Sequence, residues 1–379
     1  MTEQETYESF LKDFEKIINT DSASENLDGV VEVAAFLKEK FEALGLEAEV
    51  TREGERGVPC LKACTPSKNG RYDFMFIGHM DTVFPKGEVA KRPFKIEDGR
   101  SLGPGTNDMK GGLLVALYAI EKLKAEGNLD KVAICVAFNG DEEVGSENSR
   151  AWIEKTAANC DRVFVFEPCR PDYRHVMHRK GGGAVYITAS GISAHSGANP
   201  ERGANALVEL AGHIPAIHAL NDMDNDITAQ CNVIKSGDKF NIIPDHAELT
   251  VDVRVGTKEE ADFVTEFFNK LPDTNYVEGA SIKITGGVDR PPMEYTEKTM
   301  AVWEVLHAEA AKLDIDSVWI STGGCSDGNW TAAMGIPTID GMGTVGENSH
   351  REDEYMELDS ILPMIKIVAN TCLKIVDGQ

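Results

Sequence analysis

The 379-residue sequence is poor in several features that define common classes of protein. Basic residues are scarce, because 38 Lys and Arg stand against 63 Asp and Glu, and the formal net charge is −25. This deficit argues against binding to nucleic acid or to an anionic membrane surface, since both require basic patches. No apolar run reaches the length of a membrane span, and the polar, acidic start MTEQETYESF does not resemble a secretion signal.

Paired cysteines are also missing. The eight cysteines are scattered, and none forms a CxxC pair. This pattern is typical of free thiols in a reducing compartment, so we expect a cytoplasmic protein. The glycine-rich stretch RSLGPGTNDMKGG at 100–112 lacks the GK[ST] ending of a phosphate-binding loop, which excludes that kind of nucleotide site.

Three apolar segments are each followed by side chains that can bind a metal. The segments and the residues that follow are 74–78 with His79 and Asp81, 131–138 with Glu142 and Glu143, and 161–166 with Glu167. Uninterrupted apolar runs predict strands buried on both faces. Open α/β sheets usually place their sites at the carboxyl ends of such strands. The sequence therefore predicts that these side chains meet at one edge of a sheet.

Each of these residues also has an ordinary interpretation. A His and an Asp at a strand end can be solvated, and Asp108, which precedes a predicted helix, can be a helix N-cap. Adjacent carboxylates such as Glu142 and Glu143 repel each other, but on an exposed loop the cost is small. Because three strands and one loop supply such residues together, we favour a metal site.

The pattern changes near residue 180 and resumes near residue 291. Between them, segments at 184–190, 203–220, 229–236, 247–255, 258–270 and 281–285 follow the order β-α-β-β-α-β. This order predicts a small ferredoxin-like α/β sandwich at 181–290, inserted into a discontinuous domain of residues 1–180 and 291–379. The predicted fold class is α/β, with a mixed sheet between helices in the larger domain. His213 and His218 lie on a predicted helix and are expected to be surface or dimer-face residues.

Several short motifs occur in a fixed order along most of the chain. They are HMDTV at 79–83, GTNDMKGG at 105–112, DEEVGS at 141–146, FEP at 166–168, GGCSDG at 323–328 and GENSH at 346–350. Together they resemble the co-catalytic zinc metallopeptidases, which include glutamate carboxypeptidase, aminoacylase, acetylornithine deacetylase and succinyl-diaminopimelate desuccinylase. The resemblance implies a zinc-peptidase catalytic domain, an inserted lid and dimerisation domain, and a homodimer formed through that inserted domain.

The resemblance also implies a role for each motif residue. One Zn²⁺ would be held by His79, Asp108 and Glu167, and Asp108 would bridge to a second Zn²⁺ that is completed by Glu143 and His350. Asp81 would orient His79, and Glu142 would be the general base that takes a proton from a water shared by the two metals, which leaves a bridging hydroxide as the nucleophile. A mixed His and carboxylate set also suits Co²⁺ or Mn²⁺.

The inserted domain supplies three further candidates by the same resemblance. His195, in GISAHSG, would reach the active site of the partner subunit and stabilise an oxyanion. Asn241 and Arg254 would grip a substrate carboxylate, for which the planar guanidinium is well suited. The alternatives are an ordinary surface histidine and a charge at a strand edge.

These features predict a hydrolase that cleaves an amide or peptide bond beside a free carboxylate. Its substrate would be a small peptide or an N-acyl amino acid. The first interpretation is a carboxypeptidase resembling glutamate carboxypeptidase, and the alternative is an N-acyl-amino-acid deacylase of the aminoacylase or acetylornithine deacetylase type. A more remote alternative is a non-catalytic dimeric binding protein.

Overall fold

A computed structural model describes residues 2–221 and 225–378. The chain divides into two compact units. Unit 1 comprises Met1–Met177, Tyr295–Ser321 and Ser326–Gln379, and unit 2 comprises His178–Glu294 and Thr322–Cys325. The predicted boundaries, 180/181 and 290/291, differ from these by a few residues, and the short segment 322–325 was not predicted to join the smaller unit.

The strands and helices are numbered in chain order. The strands are β1 Glu47–Glu53, β2 Val58–Cys64, β3 Phe74–His79, β4 Lys95–Glu97, β5 Arg100–Leu102, β6 Ile134–Asn139, β7 Val163–Val165, β8 Arg174–Arg179, β9 Gly181–Ser190, β10 Ala194–His195, β11 Thr228–Ser236, β12 Ile242–Ile243, β13 His246–Val255, β14 Ser281–Gly286, β15 Val318–Thr322, β16 Thr338–Ile339, β17 Gly346–Glu347 and β18 Tyr355–Glu357. The α-helices are α1 Glu3–Ile18, α2 Leu27–Ala43, α3 Glu88–Lys91, α4 Gly111–Ala125, α5 Arg150–Ala157, α6 Ala206–His218, α7 Lys258–Lys270, α8 Glu297–Ala311, α9 Gly328–Ala333 and α10 Ile361–Val376.

Unit 1 is built on a mixed six-stranded sheet in the order β1-β2-β6-β3-β7-β16. Strand β3 pairs in parallel with β6 on one side and with β7 on the other. Strands β1 and β2 are joined to this parallel part by antiparallel pairing. The carboxyl ends of β3, β6 and β7 therefore lie at the same edge of the sheet, as the sequence predicted.

Alternate side chains of the central strands bury themselves in two different cores. Phe74 and Phe76 of β3 belong to a large cluster with apolar residues of α1, α2, α4, α8 and α10. Met75 and Ile77, from the same strand, belong to a second cluster with residues of α5 and α9. Burial on both faces explains why these strands read as continuous apolar runs in the sequence.

Unit 2 contains an antiparallel four-stranded sheet in the order β11-β13-β9-β14. With α6 between β9 and β11, and α7 between β13 and β14, this is the β-α-β-β-α-β order predicted from the sequence. Alternating residues of β9 and β13 pack with both helices in one core, whereas Tyr186 on the other face of β9 is exposed. The fold of the chain is therefore mixed α/β.

Some elements differ from the sequence-based expectations. Strands β8 and β15 form a two-stranded sheet, and β17-β18-β5-β4 form another small sheet, neither of which was predicted. The prediction for His213 was wrong, because it is buried and its Nε2 lies 3.0 Å from Glu209 Oε1, whereas His218 is exposed. No helix in the described ranges is long and apolar enough to cross a membrane.

Candidate metal centre

His79 is the last residue of β3, and its side chain is only 1% exposed. Its Nε2 lies 3.1 Å from Asp108 Oδ1 and 3.4 Å from Glu167 Oε1. Its other ring nitrogen, Nδ1, lies 3.0 Å from the carbonyl oxygen of Asp81 and 3.4 Å from Asp81 Oδ1. The strand ends at His79, so Asp81 lies against the imidazole instead of continuing along an extended chain.

Asp81 makes further contacts besides the predicted one with His79. It is fully buried, and its Oδ2 accepts a hydrogen bond of 2.6 Å from the hydroxyl of Ser24. It also accepts the backbone N–H groups of Glu142 and Glu143, each at 3.2 Å. One carboxylate therefore fixes both the imidazole of His79 and the turn that follows β6. The sequence did not predict the contact with Ser24, which lies 57 residues before Asp81.

Asp108 lies on the buried segment 106–110 that precedes α4. Its Oδ1 faces His79, and its Oδ2 lies 3.3 Å from His350 Nε2. Asp108 is therefore not an N-cap, since its two oxygens face two different imidazoles. The side chain of the next residue, Met109, packs against Gly78, where a Cβ atom would lie 2.5 Å from Cε of Met109.

Glu142 and Glu143 lie side by side on a short helical turn after β6. Oε2 of Glu143 lies 3.0 Å from His350 Nε2, and its buried Oε1 has no hydrogen-bond partner among the described residues. Two sets of potential ligand atoms lie within 4.8 Å of one another, namely His79 with Glu142 and Glu167, and His79 with Asp108 and Glu143.

The pKa values of two glutamates and two histidines of the cluster are raised. Burial, followed by the charge of Asp108, raises the pKa of Glu167 to about 8, and burial raises the pKa of Glu143 to about 7. Burial opposes protonation of His79, but hydrogen bonds to the surrounding carboxylates outweigh it and raise its pKa well above the usual value. Hydrogen bonds to Asp108 and Glu143 raise the pKa of His350 to about 11.

The donor set fits divalent metal ions. Two imidazoles and a group of carboxylates converge, and a buried carboxylate oxygen of Glu143 has no hydrogen-bond partner within residues 2–221 and 225–378. Mixed nitrogen and oxygen ligands suit Zn²⁺ and related first-row ions. Buried acids that would otherwise have to share protons are stabilised by such cations.

The three candidates on the inserted segment lie in unit 2. His195 is exposed, and its Nδ1 accepts the backbone N–H groups of Gly197 and Ala198, each at 3.1 Å. Asn241 is also exposed and adjoins the same small structure, because β10 pairs with β12 and Ser196 donates its N–H to the carbonyl of Asn241 at 3.0 Å. His195 therefore presents Nε2–H as a donor to solvent.

Arg254 is held within the sheet of unit 2. Its Nε and Nη2 donate to the two carboxylate oxygens of Asp252 at 3.0 and 2.9 Å. Its Nη1 lies 3.6 Å from Cys325 Sγ. The guanidinium is thus oriented by a neighbouring acid and is not a freely moving charge at a strand edge.

Comparison with known proteins gives consistent matches over nearly the whole chain. The model of peptidase family M20/M25/M40 matches residues 75–374. The chain is 30% identical to carboxypeptidase G2 of Pseudomonas sp. over 375 residues, covering 97% of this chain and 90% of that protein.

Two further relatives have other described activities. A succinyl-diaminopimelate desuccinylase of Cereibacter sphaeroides is 28% identical over 345 residues, covering 84% of this chain and 88% of that protein. The crystal structure of aminopeptidase PepT from Bacillus cereus is similar in fold, with a TM-score of 0.79 and 22% identity over 97% of this chain and 98% of that chain.

Proposed function

This chain belongs to peptidase family M20/M25/M40, and on that premise we propose that it is a two-metal carboxypeptidase. Family membership makes it a metal-dependent hydrolase. The proposed reaction is cleavage of an amide or peptide bond beside a free carboxylate, in a small peptide or an N-acyl amino acid. One observation carries the proposal: the two oxygens of Asp108 face two imidazoles, each of which has a further carboxylate beside it.

The proposed ligands form two groups that share Asp108. One ion would be held by His79, Asp108 and Glu167, and the other by Asp108, Glu143 and His350. Two Zn²⁺ ions, or Co²⁺ or Mn²⁺ in their place, would polarise the scissile carbonyl and acidify a water molecule. Oε1 of Glu143 supports this arrangement, because it is buried, has no hydrogen-bond partner in the part of the chain that the structure describes, and needs a cation or a donor.

Glu142 is the proposed general base. One oxygen of its carboxylate lies within 4.8 Å of a ring nitrogen of His79 and of a carboxylate oxygen of Glu167. It is therefore within reach of a water bound between these residues. Its backbone is fixed by Asp81, which also orients His79. Glu142 would take the proton of the attacking water and then deliver it to the leaving amine.

The residues of unit 2 are proposed to recognise the substrate. Arg254 and Asn241 would bind the free carboxylate of the substrate, which requires local positive charge in a protein with a net charge of −25. His195 would donate its Nε2–H to the developing oxyanion. The backbone bonds to its Nδ1 support this proposal, because they leave Nε2 as the protonated nitrogen.

A homodimer through unit 2 is also proposed, with His195 acting in the partner's active site. The edge strand β11 exposes Val233 and Ile234, and α6 exposes Leu207 and Val208. Apolar side chains on an edge strand and a helix of one unit favour a surface that a second copy covers.

The second candidate function is deacylation of N-acyl amino acids. The similarity to a succinyl-diaminopimelate desuccinylase favours it, since that reaction also cleaves an amide beside a carboxylate. The same metal ligands and the same base would serve both reactions. Family membership favours either enzyme over the non-catalytic binding protein.

The test is to measure metal content and amide hydrolysis together. Purified protein would be assayed with and without a chelator and added Zn²⁺, Co²⁺ or Mn²⁺. The substrates would be acyl-glutamates, dipeptides, and acetyl- and succinyl-amino acids. Two metals per chain and chelator-sensitive cleavage of acyl-glutamates or dipeptides are expected. Cleavage of acetyl- or succinyl-amino acids alone would establish the deacylase, and absence of bound metal would contradict the proposal.

A further inference from the structure

Glu354 makes the principal side-chain contacts to the backbone around Asp108. It is fully buried, and its Oε1 accepts the backbone N–H groups of Asn107 at 2.7 Å and Asp108 at 2.8 Å. Its Oε2 accepts the N–H of Gly105 at 3.1 Å. A carboxylate that accepts several backbone N–H groups fixes the geometry of that backbone, because charge-assisted bonds are short and directional.

A second contact joins the same two stretches of chain. Nδ2 of Asn107 donates to Oγ of Ser349 at 3.1 Å. Ser349 immediately precedes His350, and Glu354 lies four residues after it. Residues before and after His350 on its loop therefore form hydrogen bonds with the segment that carries Asp108. Between these two attachments, His350 Nε2 lies 3.3 Å from Asp108 Oδ2.

Glu354 is buried although its neighbours on the same loop are exposed. Arg351, Glu352 and Asp353, on the same loop, are exposed, and Arg351 pairs with Asp353 at 2.8 Å. Lys110, at the end of the Asp108 segment, is buried and donates to the carbonyl of Thr20 at 2.8 Å. A buried carboxylate that accepts three backbone N–H groups is a built feature of the fold.

We infer that Glu354 is a positioning residue that aims the carboxylate of Asp108 at both His79 and His350. It would thereby couple the two ligand groups without touching a metal itself. The inference rests on the proposed function, since it assumes that these residues bind two metals. In sequence, Glu354 lies in the run REDEY and is indistinguishable from its exposed neighbours.

The variant Glu354→Gln tests this role with little change in shape. An amide presents only one acceptor oxygen, so its NH₂ group would face a backbone N–H and at least one of the three bonds would be lost. Residues that orient metal ligands typically contribute about 10- to 100-fold to metal affinity, and we expect a loss of that size. Raising the metal concentration should restore most of kcat, and KM should change little, since the chemical groups remain.

The experiment measures Zn²⁺ affinity by competition with a chromophoric chelator at fixed pH. Wild type, Glu354→Gln, Glu354→Asp and the control Glu352→Gln would be compared, with circular dichroism as a check on folding. Weaker binding in both Glu354 variants, wild-type binding in the control and rescue of activity by added metal are expected. If Glu354→Gln does not fold, Glu354→Asp, which keeps the charge on a shorter arm, provides the test.

Two results would overturn the inference, and they differ from failure of the proposed function. Wild-type affinity in a folded Glu354 variant would exclude the positioning role, while two metals in wild type would leave the proposed function intact. A loss that added metal cannot rescue would indicate a merely structural role. If wild type itself binds no metal, the proposed function and the inference both fail.

Discussion

The two units hold their candidate functional residues in different ways. In unit 1, His79, Asp81 and Glu354 are buried, and each is fixed by hydrogen bonds to neighbouring side chains or backbone. In unit 2, His195 and Asn241 are exposed and contact only their own turn and the adjacent short strands. The proposed metal ligands and their partners in unit 1 are therefore preorganised, whereas the recognition proposed for unit 2 would be completed by the substrate or a second copy.

The largest effect is expected from removing the proposed general base in unit 1. Glu142→Gln keeps the shape of the side chain but cannot accept a proton, so kcat should fall by about 10³- to 10⁴-fold. The metal content should stay near that of wild type, because Glu142 is not a proposed ligand. Both quantities can be measured on one preparation. The control is Glu147→Gln, because Glu147 is an exposed glutamate in the same segment, DEEVGSE at 141–147.

Near-normal turnover in Glu142→Gln would exclude the general-base role. Loss of a metal together with activity would instead make Glu142 a ligand, which its position beside His79 and Glu167 permits. Either result would require a new assignment of roles in unit 1.

The next effect tests whether an exposed residue of unit 2 takes part in the chemistry. His195→Gln should lower kcat by about 10²- to 10³-fold if Nε2–H stabilises an oxyanion. His218→Gln, an exposed histidine of the same unit, should have little effect and is the control. An unchanged kcat in His195→Gln would leave His195 as an ordinary surface histidine.

A mixture of two inactive variants shows whether His195 acts across a dimer. If it does, a mixed dimer of Glu142→Gln and His195→Gln chains contains one complete site. Random exchange of subunits should then restore about a quarter of wild-type activity. No recovery after verified exchange, or a monomer in sedimentation analysis, would contradict action in the partner's site.

A smaller effect is expected at the proposed carboxylate clamp. Arg254→Lys removes the planar fork but keeps the charge, so KM for an anionic substrate should rise by about 10- to 100-fold with little change in kcat. Steady-state kinetics measures both constants. Arg202→Lys, at an exposed position in the same unit, is the control. An unchanged KM would indicate that Arg254 serves only its ion pair with Asp252.

The strands of unit 1 that are buried on both faces were predicted best, because such burial produces a continuous apolar run in the sequence. The continuous apolar runs before His79, Glu142 and Glu167 correspond to β3, β6 and β7, and their common parallel direction brings these residues to one edge. By contrast, β8 with the sequence RHVMHR contains two histidines and two arginines, and its partner β15 is distant in sequence. Such strands are defined by pairing and not by an apolar run, so no local pattern indicates them.

The positioning residues were harder to predict than the proposed ligands. Ser24 and Glu354 act on the cluster from 57 and 246 residues away along the chain. Nothing in a local motif reports such contacts, since serine and glutamate are common on surfaces. His213 illustrates the same limit, because its burial depends on Glu209 and on the ring of Tyr276, 4.8 Å away.

The smallest effect concerns the stability of unit 1 and uses His175 of β8. This imidazole is fully buried and lies edge-on to Trp303, with ring centroids 5.6 Å apart. Burial lowers its pKa to about 4, although a contact with the backbone of Gly341 opposes the shift. In the unfolded chain the pKa is about 6.5, so the unfolded state binds the extra proton between these values. The contribution of His175 to stability is therefore complete above about pH 6.5 and is lost as the pH falls towards 4.

The variant His175→Phe removes the titrating group and keeps an aromatic ring against Trp303. The free energy of unfolding should be measured by chemical denaturation from pH 7 to pH 4 for both proteins, with chelator present. The stability of wild type relative to the variant should fall by roughly 1–3 kcal/mol over this range. Taking the difference cancels the titration of the metal ligands, which is common to both proteins. A difference that does not change with pH would show that the pKa of His175 is the same in the folded and the unfolded chain, and that its burial against Trp303 does not exclude the proton.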